Sequence, residues 1–269
     1  MPGAGDRRLS FDQDASGYAA GRPPYPPRVF ELLSQIGAVQ PGHHILEIGP
    51  GTGQATEELI RRGMSVDAVE LGTHLANRLR ARLPHPELTV TVGDACSVPL
   101  PKASYDAVVA ATSLHWLDTR SVLPLLARAL KPRGWLAAWW TVFGDPEAPT
   151  RFRRRVDEIF AEQLPDERRE PDEIPRALRV QDRVDELTEG GWFVQPVVET
   201  IRWSAHMDSR QVQALFCTFP TIAALAPTRR EAFLAALAQA VEAEGGMVDD
   251  PFVTPVYAAR SAHDADETE

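Results

Sequence analysis

Three glycines at alternate positions mark the stretch of this chain that is best suited to ligand chemistry. Gly49, Gly51 and Gly53 lie in the segment LEIGPGTG, at the end of an apolar run. Glycine lets the backbone turn tightly and lets a ligand approach the main chain closely. Helical periodicity follows, and the amino end of a helix favours a negatively charged group. The dinucleotide fingerprint is G-x-G-x-x-G, so the early third glycine disfavours a dehydrogenase.

Acidic side chains stand near the glycine loop and after the next two apolar runs. Glu70 ends the run 65–70, Asp94 follows the run 88–92, and Glu47 precedes the loop. In nucleotide-binding sites, a carboxylate at the end of the second strand can accept hydrogen bonds from both hydroxyls of a ribose. An aspartate after the third can accept one from the exocyclic amine of adenine. Features on three successive strand ends support one another and favour a nucleotide-type site.

The elements that must position these residues are strands alternating with helices. Apolar runs predict strands at 44–48, 65–70, 88–92, 105–111 and 135–142. Helical patterns separate or flank them, at 28–37, 52–62, 73–83 and 120–130. This alternation is typical of a parallel sheet with right-handed crossovers. We therefore predict a doubly wound α/β fold, whose ligands bind beyond the carboxyl ends of the strands.

Composition narrows the class of protein. The chain has 269 residues, 43% of them hydrophobic, and a formal net charge of −10. That charge argues against a nucleic-acid partner and against docking on an acidic membrane. The two cysteines, Cys96 and Cys217, form no disulfide framework, and no His or Cys spacing indicates a metal site. No apolar run is long enough to span a bilayer. We expect a cytoplasmic protein without a metal.

A series of motifs resembles the class I S-adenosylmethionine-dependent methyltransferases. LEIGPGTG is similar to the family's first motif, Glu70 to the acid of its second, and GDA at 93–95 to its adenine-contact motif. The similarity continues through YDAVVAATSLHWLD at 105–118 and LKPRGWLAAWW at 130–140, so it covers about half the chain. Within the family, the chain resembles a small-molecule subgroup around trans-aconitate methyltransferase.

The resemblance implies a Rossmann-like, mostly parallel seven-stranded sheet whose last strand is antiparallel, with a helical cap. It also implies S-adenosylmethionine as the cofactor. The glycines would approach its methionine part, Glu47 its amino group, Glu70 its ribose and Asp94 its adenine. The implied cofactor site comprises Glu47, Gly49, Gly51, Gly53, Glu70, Leu71, Asp94, Ala95 and Ser113.

His115 is the candidate catalytic residue, because it follows the fourth strand at the position that faces the reactive methyl group in this fold. It could serve as a general base, as a hydrogen-bond donor to a substrate carboxylate, or as a structural residue, with Trp116 beside it. A carboxylate acceptor needs no base, whereas a hydroxyl acceptor usually does. The residue types alone leave these roles open.

The N-terminal segment supplies further candidate residues. Tyr18, Arg22 and Tyr25 lie in a stretch similar to the Y-x-x-x-R-P-x-Y-P element that precedes many methyltransferase domains of this subgroup. Arg22 could bind a carboxylate bidentately, either of the cofactor or of the substrate. Alternatively, the segment is an arm whose Tyr and Arg only cover the core.

The chain divides into segments of different composition. We expect a covering segment at 1–27, a Rossmann-like core at 28–145 and a helical cap at 146–190. A C-terminal part of the sheet with substrate-side helices is expected at 191–260, and a disordered acidic tail at 261–269. The expected function is methyl transfer to a small organic acceptor, at an oxygen of a carboxylate or hydroxyl. The alternatives are N- or C-methylation in a biosynthetic pathway, or a non-catalytic S-adenosylmethionine-binding protein. Oligomeric state is left open.

Overall fold

The computed structural model describes residues 21–165 and 173–262. In its first half, helices alternate with strands as the periodicity predicts. The helices are α1 (Pro27–Gln35), α2 (Gln54–Arg61), α3 (Thr73–Arg82) and α4 (Thr119–Ala129). The strands are β1 (His44–Ile48), β2 (Ser65–Glu70), β3 (Leu88–Val92), β4 (Tyr105–Ala111) and β5 (Leu130–Trp139).

The second half adds two long strands and further helices. The strands are β6 (Val142–Phe143), β7 (Phe193–Asp208) and β8 (Met247–Ser261). The helices are α5 (Arg151–Gln163), α6 (Val180–Thr188), α7 (Ser209–Cys217), α8 (Pro220–Ala223) and α9 (Pro227–Glu242). Single 3-10 turns lie at Leu114–Trp116, Arg176–Leu178 and Glu189–Gly191.

One sheet runs through the described residues in the order β3-β2-β1-β4-β5-β8, with β7 beyond β8. The strands β1 to β5 pair in parallel, whereas β8 is antiparallel to both β5 and β7. The short β6 pairs with the same strand β8, where Val142 lies opposite Val253. The prediction of a mostly parallel seven-stranded sheet with an antiparallel last strand is confirmed, and the two-residue β6 is an addition to it.

Helices cover both faces of this sheet, because the central strands are apolar on both sides. On one face, α1, α2 and α3 pack through Phe30, Leu59 and Leu79. On the other face, α4 and α6 pack through Leu126 and Leu187. The fold is therefore doubly wound, and the carboxyl edge of the sheet is the place for a ligand.

The sequence Lys131-Pro132-Arg133-Gly134 predicts a turn before the strand at 135–142, and the start of β5 differs from this expectation. The strand begins at Leu130, opposite Tyr105, and its register shifts before Trp135 pairs with Ala107. Arg133 has a positive φ of 57°. The expected turn is thus an irregularity within the strand, of the kind that a β-bulge produces.

A third apolar cluster lies on the far end of the β7–β8 ribbon. The ribbon continues as far as Asp208, and α5, α7 and α9 pack there through Val156, Phe216 and Phe233. The helix α6 instead packs on the sheet. In the described residues of the predicted cap segment 146–190, α5 therefore packs on this third cluster and α6 packs on the sheet.

Candidate functional site

A cavity of about 320 Å³ lies at the carboxyl edge of the sheet. Its volume lies within the usual range for small-molecule sites, roughly 300–1,000 Å³. The loops after β1, β2, β3 and β4, the segment before α1 and the start of α8 line it, through Arg22, Tyr25, Glu47, Gly49, Gly51, Glu70, Leu71, Asp94, Ala95, Thr112, Ser113, His115, Trp116 and Pro220. All the predicted site residues therefore meet here, except Gly53, which does not line the cavity, and Tyr18, which lies outside the described residues.

The glycine loop approaches the cavity at two of its three glycines. Gly51 has a φ of 57°, and a Cβ atom there would meet no atom within 4 Å, so its backbone borders open space. At Gly49 a Cβ would lie 2.7 Å from the Cβ of Ser113, so only glycine lets the loops after β1 and β4 touch. Gly53 faces the opposite way, because a Cβ there would lie 2.3 Å from Cδ1 of Leu79. Its role is packing against α3 rather than ligand contact.

Glu70 connects the loops that follow β1 and β2. Its Oε2 accepts a hydrogen bond from the backbone N–H of Gly51 at 3.0 Å, and its Oε1 accepts one from that of Gly72 at 2.9 Å. The residue is 6% exposed. These two bonds hold the loops together at the edge of the cavity, which Glu70 also lines. Its tie to the glycine loop was not evident from its spacing in the sequence.

Glu47 is the acid that lies deepest in this site. It is fully buried, and its Oε2 accepts a hydrogen bond from the Thr56 hydroxyl at 2.6 Å. Its Oε1 is buried without a partner. Burial raises the pKa of Glu47 to about 7, opposed in part by the bond from Thr56 and reinforced by the charge of Glu70. A buried carboxylate oxygen without a donor indicates a place for a cationic or hydrogen-bonding group.

Asp94 lies in the loop after β3, and this loop forms one end of the cavity. Its Oδ1 accepts a hydrogen bond from the backbone N–H of Cys96 at 3.0 Å, which fixes the carboxylate in an Asx turn. Ala95 and Leu71 contribute apolar surface to the same cavity. The combination of a fixed acid and apolar walls suits the polar edge and the flat face of a base.

The loop after β4 holds a residue that the sequence reading missed. Thr112 has a φ of 59°, a left-handed conformation that is rare for a residue branched at Cβ. Its Oγ1 forms a hydrogen bond of 3.1 Å with the hydroxyl of Tyr25. Ser113, next to it, donates from Oγ to the carbonyl oxygen of Ile48 at 2.5 Å. Only a strained backbone at Thr112, visible in the structure, could have drawn attention to it.

His115 lines the cavity and is also in contact with Trp140. The indole Nε1–H of Trp140 donates to Nδ1 of His115 at 2.9 Å. Trp116 packs beside the imidazole with ring centroids 4.7 Å apart and ring planes tilted by 40°. Burial lowers the pKa of His115 to about 4, and the positive charges of Arg176 and Arg183 lower it further. The ring is therefore neutral near pH 7.

Arg22 is held at the cavity by Phe143 of β6 and by Thr218 and Phe219 of the turn between α7 and α8. Its guanidinium carbon lies 4.7 Å from the ring centroid of Phe143 and 5.3 Å from that of Phe219. Its Nε donates to Oγ1 of Thr218 at 2.8 Å. Its carbonyl oxygen accepts a bond from the side chain of Gln54, at the start of α2. A cation held this way is fixed in place between the glycine loop and the cap.

Comparison with known proteins agrees with this geometry. A family model described as a methyltransferase domain matches residues 46–138. An uncharacterized methyltransferase of Mycobacterium tuberculosis is 37% identical over 135 residues, which are 50% of this chain and 53% of the relative. The malonyl-[acyl-carrier protein] O-methyltransferase of Halorhodospira halophila is 31% identical over 71% of this chain and 62% of its own.

Residues 46–138 thus match a methyltransferase domain. Solved methyltransferase structures have a similar fold. Phosphoethanolamine N-methyltransferase 2 of Haemonchus contortus, in complex with phosphomonomethylethanolamine and S-adenosylhomocysteine, superposes with a TM-score of 0.56 at 19% identity, over 96% of this chain and 59% of its own. The chain spans about half the length of the first curated relatives it matches.

A methyltransferase domain implies S-adenosylmethionine as the cofactor. The residues present fit it. The glycine loop leaves open space at Gly51, and the buried Oε1 of Glu47 has no partner. The acids Glu47, Glu70 and Asp94 all line the cavity, which suits a ligand whose sulfonium and ammonium groups outweigh its single carboxylate.

Two observations concern the described part of the chain as a whole. In residues 21–165 and 173–262, no group of three or more His, Cys, Asp or Glu side chains could hold a metal ion. In the same residues, none of the helices combines the length and the apolar character that crossing a membrane requires.

Proposed function

We propose that this protein transfers a methyl group from S-adenosylmethionine to an oxygen of a small organic acceptor. The observation that carries the proposal is the meeting, in one cavity, of the open backbone at Gly51 with Glu70 and Asp94, from three successive strand ends. Carboxylates on one edge of the sheet, with a glycine loop between them, are suited to a nucleoside joined to an amino acid.

The cofactor side of the cavity supplies binding and orientation. When bound, S-adenosylmethionine supplies a methyl group on a positively charged sulfur. Glu70 and Asp94 offer fixed acceptors to the ribose and the adenine, and Glu47 offers a buried acceptor to the ammonium group. Because Glu70 holds the loops after β1 and β2 together, these loops need little further ordering when the cofactor binds. Such alignment can lower a barrier by as much as about 7–11 kcal/mol at its upper limit.

The acceptor side is assigned to Tyr25, His115 and Trp116, with Arg22 between acceptor and cofactor. These residues border the same cavity as the acids. Tyr25 packs edge-on against Trp139 at 5.7 Å and bonds to Thr112, so its ring is fixed. The indole of Trp116 and the ring of Tyr25 form apolar walls that exclude water from the methyl group. A fixed guanidinium at Arg22 suits a carboxylate, of either ligand.

Oxygen is proposed as the acceptor atom for two reasons. The neutral ring of His115 and the guanidinium of Arg22 are donors suited to an oxygen anion. The Halorhodospira halophila relative is an O-methyltransferase by name. An N-methyltransferase is also among the similar folds, but that likeness shows the fold alone. Amines and carbon acids are therefore the alternatives that the assay must include.

The test is binding followed by transfer. Calorimetric titration of the full chain with S-adenosylmethionine should show micromolar binding, and titration with NADH should show none. Radiolabelled methyl transfer is then screened over carboxylic acids, phenols, amines and carbon acids. Labelling of an amine or carbon acid alone would overturn the O-methyl assignment. Binding without transfer to any class would favour a non-catalytic protein, and no binding would reject the proposal.

The variant His115→Ala tests whether the imidazole belongs to the cofactor side or to the acceptor side of the cavity. His115→Ala should lose turnover while keeping its affinity for S-adenosylmethionine, because the imidazole is assigned to the acceptor side. A parallel loss of cofactor affinity would move His115 to the cofactor side.

A further inference from the structure

The contact between Trp140 and His115 determines where the imidazole proton resides. An indole Nε1–H can only donate a hydrogen bond. Because it donates to Nδ1 of His115, Nδ1 must carry a lone pair and not a proton. The neutral ring therefore carries its proton on Nε2, so Nε2–H is a donor.

The surroundings of each ring edge differ. Trp140 is 7% exposed and packs edge-on against Tyr257 with ring centroids 6.0 Å apart, so the indole cannot move easily. His115 lines the cavity, whereas Trp140 does not. Among the described residues, Nδ1 accepts the hydrogen bond from Trp140, and Nε2 has no protein partner. The Nε2–H edge is thus the polar edge that a ligand in the cavity can meet.

We propose that Trp140 is a positioning residue, which holds His115 as a hydrogen-bond donor toward the acceptor and prevents it from acting as a general base. The proposal rests on the proposed function, because it assumes an acceptor at His115. It also narrows the class of acceptor. An acceptor oxygen that is already ionised can accept a hydrogen bond from Nε2–H of His115. A neutral hydroxyl has no base in this ring to take its proton.

The charges around the ring act in the same direction. Arg183 on α6 is 5% exposed and pairs with Glu186, and Arg176 pairs with the same carboxylate. Two guanidinium groups thus share one carboxylate near His115, which leaves a net positive charge. That charge and burial disfavour a protonated imidazole, and they favour an anionic group in front of it.

Nitrogen NMR of histidine-labelled protein tests the proposal without cofactor or acceptor. The chain has seven histidines, and the signals of the ring at 115 are assigned by their loss in His115→Asn. In the wild-type protein, Nδ1 should be unprotonated and Nε2 protonated from pH 5 to pH 8. In Trp140→Phe, which keeps an aromatic ring but removes the N–H, both tautomers should be populated and the pKa of His115 should rise.

Trp139→Phe is the matched control. Trp139 precedes Trp140 and is fully buried, but its indole Nε1–H donates to no group in the described residues. Its replacement should leave the tautomer and pKa of His115 unchanged. A protonated Nδ1 in the wild-type protein would overturn the proposal, even if Trp140→Phe fails to fold. So would an unchanged tautomer in a folded Trp140→Phe variant.

The outcome is independent of whether methyl transfer is the correct function. If S-adenosylmethionine does not bind, the proposed function fails while the tautomer can still be Nε2–H. If it binds and a neutral hydroxyl compound is methylated with an activity that titrates with His115, the donor role fails while the function holds.

Discussion

The carboxylate of Glu70 accepts a hydrogen bond from the backbone N–H of Gly51 at 3.0 Å, across 19 residues of sequence. This bond joins the acid after the second strand to the glycine loop after the first. The two features that resemble separate methyltransferase motifs are therefore one structural unit, and a change in one is expected to alter the other.

Glu70→Ala should weaken both the fold and cofactor binding. The variant removes the acceptor of two backbone N–H groups, so we expect a loss of about 2 kcal/mol in the free energy of unfolding. Affinity for S-adenosylmethionine should fall at least about tenfold. Urea denaturation and calorimetry measure the two effects. Glu57→Gln, at an exposed ion pair with Arg82, is the control and should change neither; full affinity in a folded Glu70→Ala would remove Glu70 from the site.

Glu47 should make the stability of the protein fall as pH rises. Its pKa is raised by burial from 4.5 to about 7, so the folded chain holds a proton that the unfolded chain has lost between those values. The free energy of unfolding should therefore decrease from about pH 4.5 to pH 7, by about 3 kcal/mol in total from this group. Glu47→Gln should remove this loss and be more stable than the wild-type protein at pH 8. A Glu47→Gln variant that is less stable at pH 8 would contradict the assignment.

The same group should link cofactor binding to proton release. A cationic ammonium beside Glu47 favours its ionised form, so affinity for S-adenosylmethionine should rise with pH up to about pH 7. Calorimetry at pH 6 in buffers of different ionisation enthalpy counts the protons released. Glu47→Gln should release fewer protons than the wild-type protein; equal release would place the titrating group elsewhere.

Asp94→Ala should reduce affinity for S-adenosylmethionine about tenfold, because the acceptor assigned to adenine is lost. Asp94→Asn is the informative partner variant. It keeps an oxygen for the N–H of Cys96 but loses the charge, so the turn should persist. If both variants bind as tightly as the wild-type protein, Asp94 does not contact the cofactor.

Asp250→Asn should destabilise the helical cap strongly. Asp250 is fully buried and accepts two hydrogen bonds from the guanidinium of Arg153 on α5. Breaking such a pair leaves a buried charge without its counter-ion, at a cost of about 3–5 kcal/mol. Glu158→Gln, in the exposed pair with Arg155, should cost less than about 1 kcal/mol. Equal losses in urea denaturation would show that burial does not decide the strength of the pair.

Much of the candidate site could be predicted from the sequence, because it depends on local order along the chain. Gly49, Gly51, Glu70 and Asp94 each follow or end an apolar run. In a parallel sheet, all such ends meet at one edge. The prediction that they share a site needed only the alternation of strands and helices, and the cavity contains all four.

The direction in which each side chain points could not be predicted in this way. Gly53 has the same spacing as its neighbours but faces Leu79 on α3. The strain at Thr112 has no signature in its residue type. The split of 146–190 between two clusters depends on which face of the sheet each helix covers.

The sequence alone determines the doubly wound fold, the sheet edge at which the cavity lies and the acids that line it, because periodicity and the residues after each strand encode them. The role of His115 depends on tertiary structure. Its spacing was compatible with a base, a donor or a structural residue. Trp140, 25 residues away, donates to Nδ1 only because β4 and β5 lie side by side in the sheet. Hydrogen bonds between distant residues select one role from several, and they form only when the chain has packed.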